Sequence, residues 1–160
     1  MAIAVGDSIP AMKIMEGTAE GPKELDTGAF FAGRTVVLFG VPGAFTPTCS
    51  AKHLPGFVEH HDAIKAKGVD AIACMAVNDA FVMKAWGQDQ GALGKITMIA
   101  DGSAEFTRAL GLELDLTARG LGIRCQRFAL IARDGKVTHL GIEAPGAFEV
   151  SSAEAILAAL

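Results

Sequence analysis

Residues 35–49 read TVVLFGVPGAFTPTC, and this stretch decides the fold. Thr35 to Phe39 carries an unbroken apolar run from Val36 onward, the pattern of a strand buried on both faces. A loop punctuated by glycine and proline follows, Gly40 to Phe45, and Thr46-Pro47-Thr48-Cys49 then opens a helix. Thr46 is placed as the N-cap and Pro47 as the first helical residue, where its missing N–H costs nothing. Cys49 falls in the first helical turn, among unpaired backbone N–H groups at the positive end of the helix dipole. That place favours thiolate over thiol, and the thiolate is the nucleophilic form of cysteine. The stretch therefore points to sulfur chemistry at Cys49.

Working outward, the pattern predicts a helix over 48–66 that puts Leu54, Phe57, Val58, His61 and Ile64 on one face. Pro55-Gly56 is expected to kink it, and Gly68 to close it. Val69 to Val77 (VDAIACMAV) reads as a second buried strand with no polar face, as a parallel sheet requires. Asn78 or Asp79 caps a helix over 80–86, residues 96–100 form a third strand, and 103–110 a short helix. Residues 127–133 and 136–142 then read as a hairpin around Asp134-Gly135. Ser151-Ser152-Ala153-Glu154 is a capping box for a last helix. Upstream, residues 1–25 read as a lead-in with turns at Glu16-Gly17 and Glu20-Gly21-Pro22. No linker, repeat or shift of composition interrupts the chain, so a single domain over 1–160 is expected. Parallel βαβ units followed by an antiparallel hairpin and a terminal helix give an α/β fold of three layers, a central mixed β-sheet flanked by helices. That order resembles the thioredoxin-like arrangement.

Bulk properties narrow the partners. The chain has 160 residues, enough to bury roughly 70% of its unfolded surface without staples. Net charge is −4 with no Lys/Arg cluster, which argues against nucleic acid and anionic membrane as partners. No apolar run approaches the ~18 residues of a membrane span, and the start MAIAVGDSIP has no basic leader. Three cysteines at unrelated spacings argue against a disulfide framework and for a reducing compartment, so a cytoplasmic location is expected. An apolar fraction of 51% allows a surface for self-association.

Pro42-x-x-x-Thr46-x-x-Cys49, followed by Lys52-His53-Leu54-Pro55-Gly56-Phe57, resembles the active-site loop of peroxiredoxins, and more narrowly of their type II (atypical, fifth) subgroup. The resemblance continues through Val77 to Trp86, Leu110 to Asp115, Gly122-x-Arg124-x-x-Arg127-Phe128 and Phe148 to Glu154, in the right order over nearly the whole chain from residue 35. It implies a thiol-dependent peroxidase that reduces hydrogen peroxide and alkyl hydroperoxides through a sulfenic acid at Cys49, in antioxidant defence and redox homeostasis. Peroxide reduction moves charge from sulfur to the leaving oxygen, so it needs donors that follow that charge. By resemblance, Thr46 orients the peroxide and bonds the sulfur, while Arg127 holds the thiolate and the peroxide oxygens. Pro42 shields the thiolate from water. Arg124 is left as a supporting or surface residue. No metal, haem or flavin is implied. The resemblance also implies a homodimer in contact through Ala44-Phe45-Thr46 and Ala80-Phe81.

The sulfenic acid must be reduced by another thiol. In the plant pattern a second cysteine at the place of Cys74 is a candidate resolving partner, although inside an apolar strand it also reads as a core thiol. The C-terminal position that other type II members use is Glu149-Val150-Ser151-Ser152 here, without cysteine. Recycling by glutathione and glutaredoxin is therefore expected ahead of thioredoxin. Cys125 reads as an incidental substitution, and period-two alternation would put it on the face of Arg127, where two arginines would make it acidic. His53, one turn after Cys49, is placed to tune it but reads rather as a residue that packs or hydrogen-bonds locally, and Phe81 and Trp86 read as core or subunit-contact residues. The histidines show no metal-ligand spacing.

Rival chemistries lack their residues. A thiol–disulfide oxidoreductase wants Cys-x-x-Cys, and the chain has Cys49-Ser50-Ala51-Lys52; a cysteine phosphatase wants arginine where Pro55 stands. A non-catalytic redox sensor or chaperone on the same fold would be expected to have lost Thr46 or Arg127, and both are present.

Overall fold

The computed structural model describes residues 1–160. In chain order the elements are β1 (Lys13–Thr18), β2 (Gly21–Asp26), α1 (Thr27–Phe31), β3 (Thr35–Gly40), α2 (Leu54–Glu59), α3 (His61–Ala66), β4 (Ala71–Ala76), α4 (Ala80–Asp89), β5 (Thr97–Ala100), α5 (Glu105–Leu110), β6 (Glu113–Leu116), β7 (Gly122–Cys125), β8 (Phe128–Arg133), β9 (Lys136–Ile142) and α6 (Ala153–Ala159). Seven strands form one sheet in the order β2-β1-β5-β4-β3-β8-β9, and β6 and β7 form a separate pair. The pairs β3–β4 and β4–β5 are parallel, while β8 lies antiparallel to β3 and β9 antiparallel to β8. This is the mixed sheet of a three-layer thioredoxin-like fold.

Strand alternation builds the layers. On β3, Val37 and Phe39 face one core, with Leu54, Phe57, Met83, Trp86 and Ile156 from the helices α2, α4 and α6. Val36 and Leu38 face the other, with Phe31 of α1 and Phe106 and Leu110 of α5. All six residues of β4 are buried, as expected of a central parallel strand covered on both faces. At the hairpin between β8 and β9, Asp134 and Gly135 have φ of 50° and 74°, the left-handed pair that an Asp-Gly turn supplies. No helix is long and apolar enough to cross a membrane.

Several local expectations are corrected. The lead-in is an antiparallel hairpin, β1 against β2, and Glu16 and Gly17 lie within its first strand. Only Ile14, Gly17 and Leu25 of that hairpin are buried, so its alternation is too sparse to read as a strand pair. The predicted 48–66 helix breaks at His60, whose φ of −93° and ψ of 9° leave the helical region, rather than at Pro55-Gly56. There the His60 ring Nδ1 donates to the Gly56 carbonyl at 2.9 Å, beside the residue's own N–H. Pro55 is instead accommodated by a wide turn over Cys49–His53, in which the Leu54 N–H reaches back to the Cys49 carbonyl. A proline ring crowds the carbonyl four residues before it, and widening that turn relieves the clash. The last helix is capped by Ser152, which accepts from the Ala155 N–H at 3.1 Å; Ser151 is engaged elsewhere.

Candidate active site

The active-site candidates converge at the C-terminal end of β3, where the chain leaves the sheet and enters the wide turn. Backbone geometry does much of the placing. The Thr46 carbonyl accepts from the Ser50 N–H at 2.9 Å, which closes the first turn with Thr46 in the N-cap place. Its hydroxyl does not cap: it donates to the Gly43 carbonyl at 2.6 Å and is not bonded to the sulfur, so its oxygen lone pairs remain free to accept. The Ala44 N–H donates to Asn78 Oδ1 at 2.9 Å, tying the loop to the start of α4, whose cap is Asp79. Arg124 holds the same loop from the other side, donating from Nη1 to the Pro42 carbonyl at 3.3 Å and from Nε to the Leu121 carbonyl at 2.8 Å. Pro42 and Thr46 are half-buried, and Cys49 is fully buried.

Arg127 reaches Cys49. It leaves the chain between β7 and β8, and its Nη2 donates to Cys49 Sγ at 3.1 Å. Its Nη1 lies 2.8 Å from His53 Nδ1. The other ring nitrogen, Nε2, lies 2.8 Å from the Ser151 carbonyl, which can only accept. Nε2 therefore carries the proton, and Nδ1 accepts from Arg127. Burial, reinforced by the Arg127 charge, pushes the His53 pKa down to about 3 although the Ser151 carbonyl favours the charged ring. The ring is neutral at pH 7, caged by Phe39, Phe57 and Phe148. None of the close charge pairs of the chain involves Arg127, so its positive charge is not neutralised by a carboxylate. The guanidinium also lies 5.9 Å from the Phe148 ring centroid. Beside the cysteine, Trp86 Nε1 donates to Ser50 Oγ at 3.0 Å.

Residues 4–157 match the Redoxin family. The chain is 52% identical to Peroxiredoxin-2B of Arabidopsis thaliana over 99% of its own length and 98% of that protein's. The chain belongs to the peroxiredoxins, in their type II branch. As a peroxiredoxin it is a thiol-dependent peroxidase and an antioxidant oxidoreductase. Solved peroxiredoxins superpose over nearly all of it. Reduced Prx3 of Vibrio vulnificus in complex with hydrogen peroxide is 55% identical with a TM-score of 0.93, each chain covered over 98%. Peroxiredoxin 5 of Alvinella pompejana is 38% identical with a TM-score of 0.86, over 98% of this chain and 96% of that one.

The remaining cysteines of this peroxiredoxin stand apart. Cys74 lies at mid-strand on β4, between Phe39 of β3 and Met98 of β5. It shares the core of Cys49, and burial pushes its thiol well up. Cys125 lies in the opposite core, not on the face of Arg127. The chain leaves β7 at Cys125, so the strand pleat does not carry across to Arg127. Burial pushes the Cys125 thiol up rather than down, which removes the expectation of an acidic group. His53 does more than pack: four residues after Cys49, it meets the sulfur through Arg127, a bond across 74 residues that its spacing from Cys49 does not announce.

Proposed function

We propose that Cys49 is the peroxide-attacking nucleophile and that Arg127, Thr46 and Pro42 form its pocket. The observation that carries this reading is the 3.1 Å contact from Arg127 Nη2 to Cys49 Sγ. A guanidinium there favours the anionic sulfur and stands ready to bond the oxygens of a peroxide lying in line with it. The thiolate attacks the nearer oxygen, the O–O bond breaks, and Cys49 becomes a sulfenic acid while the leaving oxygen takes a proton. Thr46, with its hydrogen committed to Gly43, accepts from the peroxide O–H. Hydrogen peroxide and alkyl hydroperoxides are the substrates. Cys49→Ser should abolish peroxide consumption, whereas Cys74→Ser and Cys125→Ser should keep the oxidation step; retained activity in Cys49→Ser contradicts the assignment.

Glutathione with glutaredoxin is the proposed reductant. Cys74 meets Cys49 only if β4 separates from both neighbouring strands and the turn after Thr46 unwinds, which breaks several hydrogen bonds and exposes apolar side chains. A small external thiol needs only the opening of the Cys49 turn. It attacks the sulfenic sulfur, releases water and leaves a mixed disulfide that a second thiol reduces. Mass spectrometry of peroxide-treated protein should find glutathione on Cys49; a dominant Cys49–Cys74 bond in millimolar glutathione would overturn this cycle. A homodimer is supported by the exposure of Phe45 (53%) and Phe81 (71%), on segments joined through Ala44 and Asn78. Three free cysteines support a reducing, cytoplasmic setting.

A further inference from the structure

The contacts behind Arg127 continue past His53 to a carboxylate that the peroxidase chemistry has not used. Glu143 follows β9 directly, and its N–H donates to the Arg127 carbonyl at 2.9 Å, extending the ladder beyond Phe128–Ile142. The two residues are thus neighbours across strands, yet their side chains are not paired: Glu143 takes no cation within 4.0 Å. Its carboxylate is turned into the segment 149–151 instead. Oε2 accepts from the N–H groups of Glu149 (2.8 Å), Val150 (2.9 Å) and Ser151 (2.8 Å) and from Ser151 Oγ (2.6 Å), and Oε1 accepts from the Glu149 N–H at 3.0 Å. Three successive backbone donors converge on one acidic side chain that is only 8% exposed. This segment belongs to no helix or strand, so Glu143 supplies the partners that secondary structure would otherwise give.

We propose that Glu143 is a positioning residue for peroxide reduction: by clipping 149–151 it presents the Ser151 carbonyl to His53 Nε2, which turns Nδ1 toward Arg127 and aims the guanidinium at Cys49. Each link is a hydrogen bond of 3.1 Å or less along a single path, Ser151 Oγ and N–H to Glu143, His53 to Ser151, Arg127 to His53, and Arg127 to Cys49. The Ser151 carbonyl selects the tautomer. Without it the ring is free to place its proton on Nδ1, where it would confront the Arg127 N–H, and the guanidinium would swing away. A neutral ring orients the arginine without neutralising it, whereas a carboxylate in that place would compete with the sulfur for the charge. Burial pushes the Glu143 carboxyl up, but the hydrogen bonds from Ser151, Glu149 and Val150 outweigh it and hold it below its ordinary value, in keeping with an anion at the centre of the clip.

This inference rests on Arg127 acting at Cys49, so the test carries Arg127→Ala as a control. Glu143→Gln keeps the length of the side chain and an oxygen acceptor, Glu143→Asp keeps the charge but draws the acceptor back, and Glu143→Ala removes both. Cys49 oxidation by hydrogen peroxide is timed by rapid acid quench and mass spectrometry at a temperature where circular dichroism shows each variant folded. The His53 tautomer is read from its ring nitrogens by 15N NMR. Glu143→Gln, which keeps one accepting oxygen for 149–151 but loses the charge, should lose less than the other two variants in both measurements. Glu143→Asp and Glu143→Ala should lose about tenfold or more in rate, the scale for a displaced catalytic group, and show a mixed His53 tautomer. If Glu143→Ala does not fold, the Gln and Asp pair carries the comparison. A wild-type rate and tautomer in Glu143→Asp, with Arg127→Ala slow, overturns the clip alone; a wild-type rate in Arg127→Ala overturns the reading of Arg127 and the clip together.

Discussion

Two arginines stand near the loop that carries Cys49, and their partners separate them. Arg127 spends one nitrogen on a neutral ring and the other on sulfur, while Arg124 spends its donors on the backbone carbonyls of Pro42 and Leu121. Arg127→Ala should slow peroxide attack by about 10²-fold, the scale for losing a positioned transition-state donor. Arg124→Ala, which loosens the loop only, should cost clearly less; equal losses in stopped-flow kinetics would contradict this division. His53 leaves a second signature, in stability. Its folded pKa of about 3 lies below the ordinary 6.5, so under pH 6.5 the unfolded chain takes up a proton that the folded chain refuses. Stability present above pH 6.5 is therefore lost as the pH falls toward the folded value, by up to about 2 kcal/mol over the first one and a half units. Glu143, also held low, adds a loss only below its ordinary 4.5. Urea unfolding near pH 6.5 and near pH 5 should show the loss in wild type and little of it in His53→Gln; identical losses would contradict it. The approach of Arg127 to Cys49 was legible because the loop motif and the residue leading into β8 are local patterns. The path through His53, Ser151 and Glu143 joins residues 98 and 8 positions apart in sequence, and no local pattern announces such contacts.

At the scale of elements, reading succeeded where residues are buried on both faces. β3, β4 and β8 are nearly continuous apolar runs, and the Asp-Gly turn carries its own conformational demand. Where one face meets solvent it succeeded for β9, which the Asp-Gly turn announces, and failed for strands without such a turn. β2 lies at the edge of the sheet with β1 next to it, and β6 and β7 are half-exposed, so polar residues blur their alternation. Gly17 shows how a misread residue can matter: it looked like a turn, but it is the point where α4 crosses β1. A Cβ there would lie 2.6 Å from the Lys84 nitrogen and 2.7 Å from the Ala80 oxygen, both backbone atoms that cannot rotate aside. Gly17→Ala should therefore push α4 off the sheet and cost about 1–3 kcal/mol in chemical denaturation, as overpacking does. An unchanged unfolding midpoint would contradict that account.

At the scale of the whole molecule, the proposed homodimer places the loop around Cys49 at a subunit boundary, since Phe45 and Phe81 are the large exposed side chains of the segments beside it. Light scattering at micromolar concentration should give a mass near twice 16.5 kDa, and Phe81→Asp should lower it toward a single chain. A monomeric wild type would contradict the assembly. The chain also carries one tryptophan and no tyrosine, and that tryptophan is the residue whose indole bonds Ser50, next to Cys49. Excited at its long-wavelength band, the protein therefore emits from a single fluorophore whose hydrogen-bond partner adjoins Cys49. Any rearrangement of the Cys49 turn on oxidation is transmitted to that indole. Intrinsic emission followed during peroxide addition should therefore report movement of that turn without a label; emission unchanged when Cys49 is oxidised would contradict it.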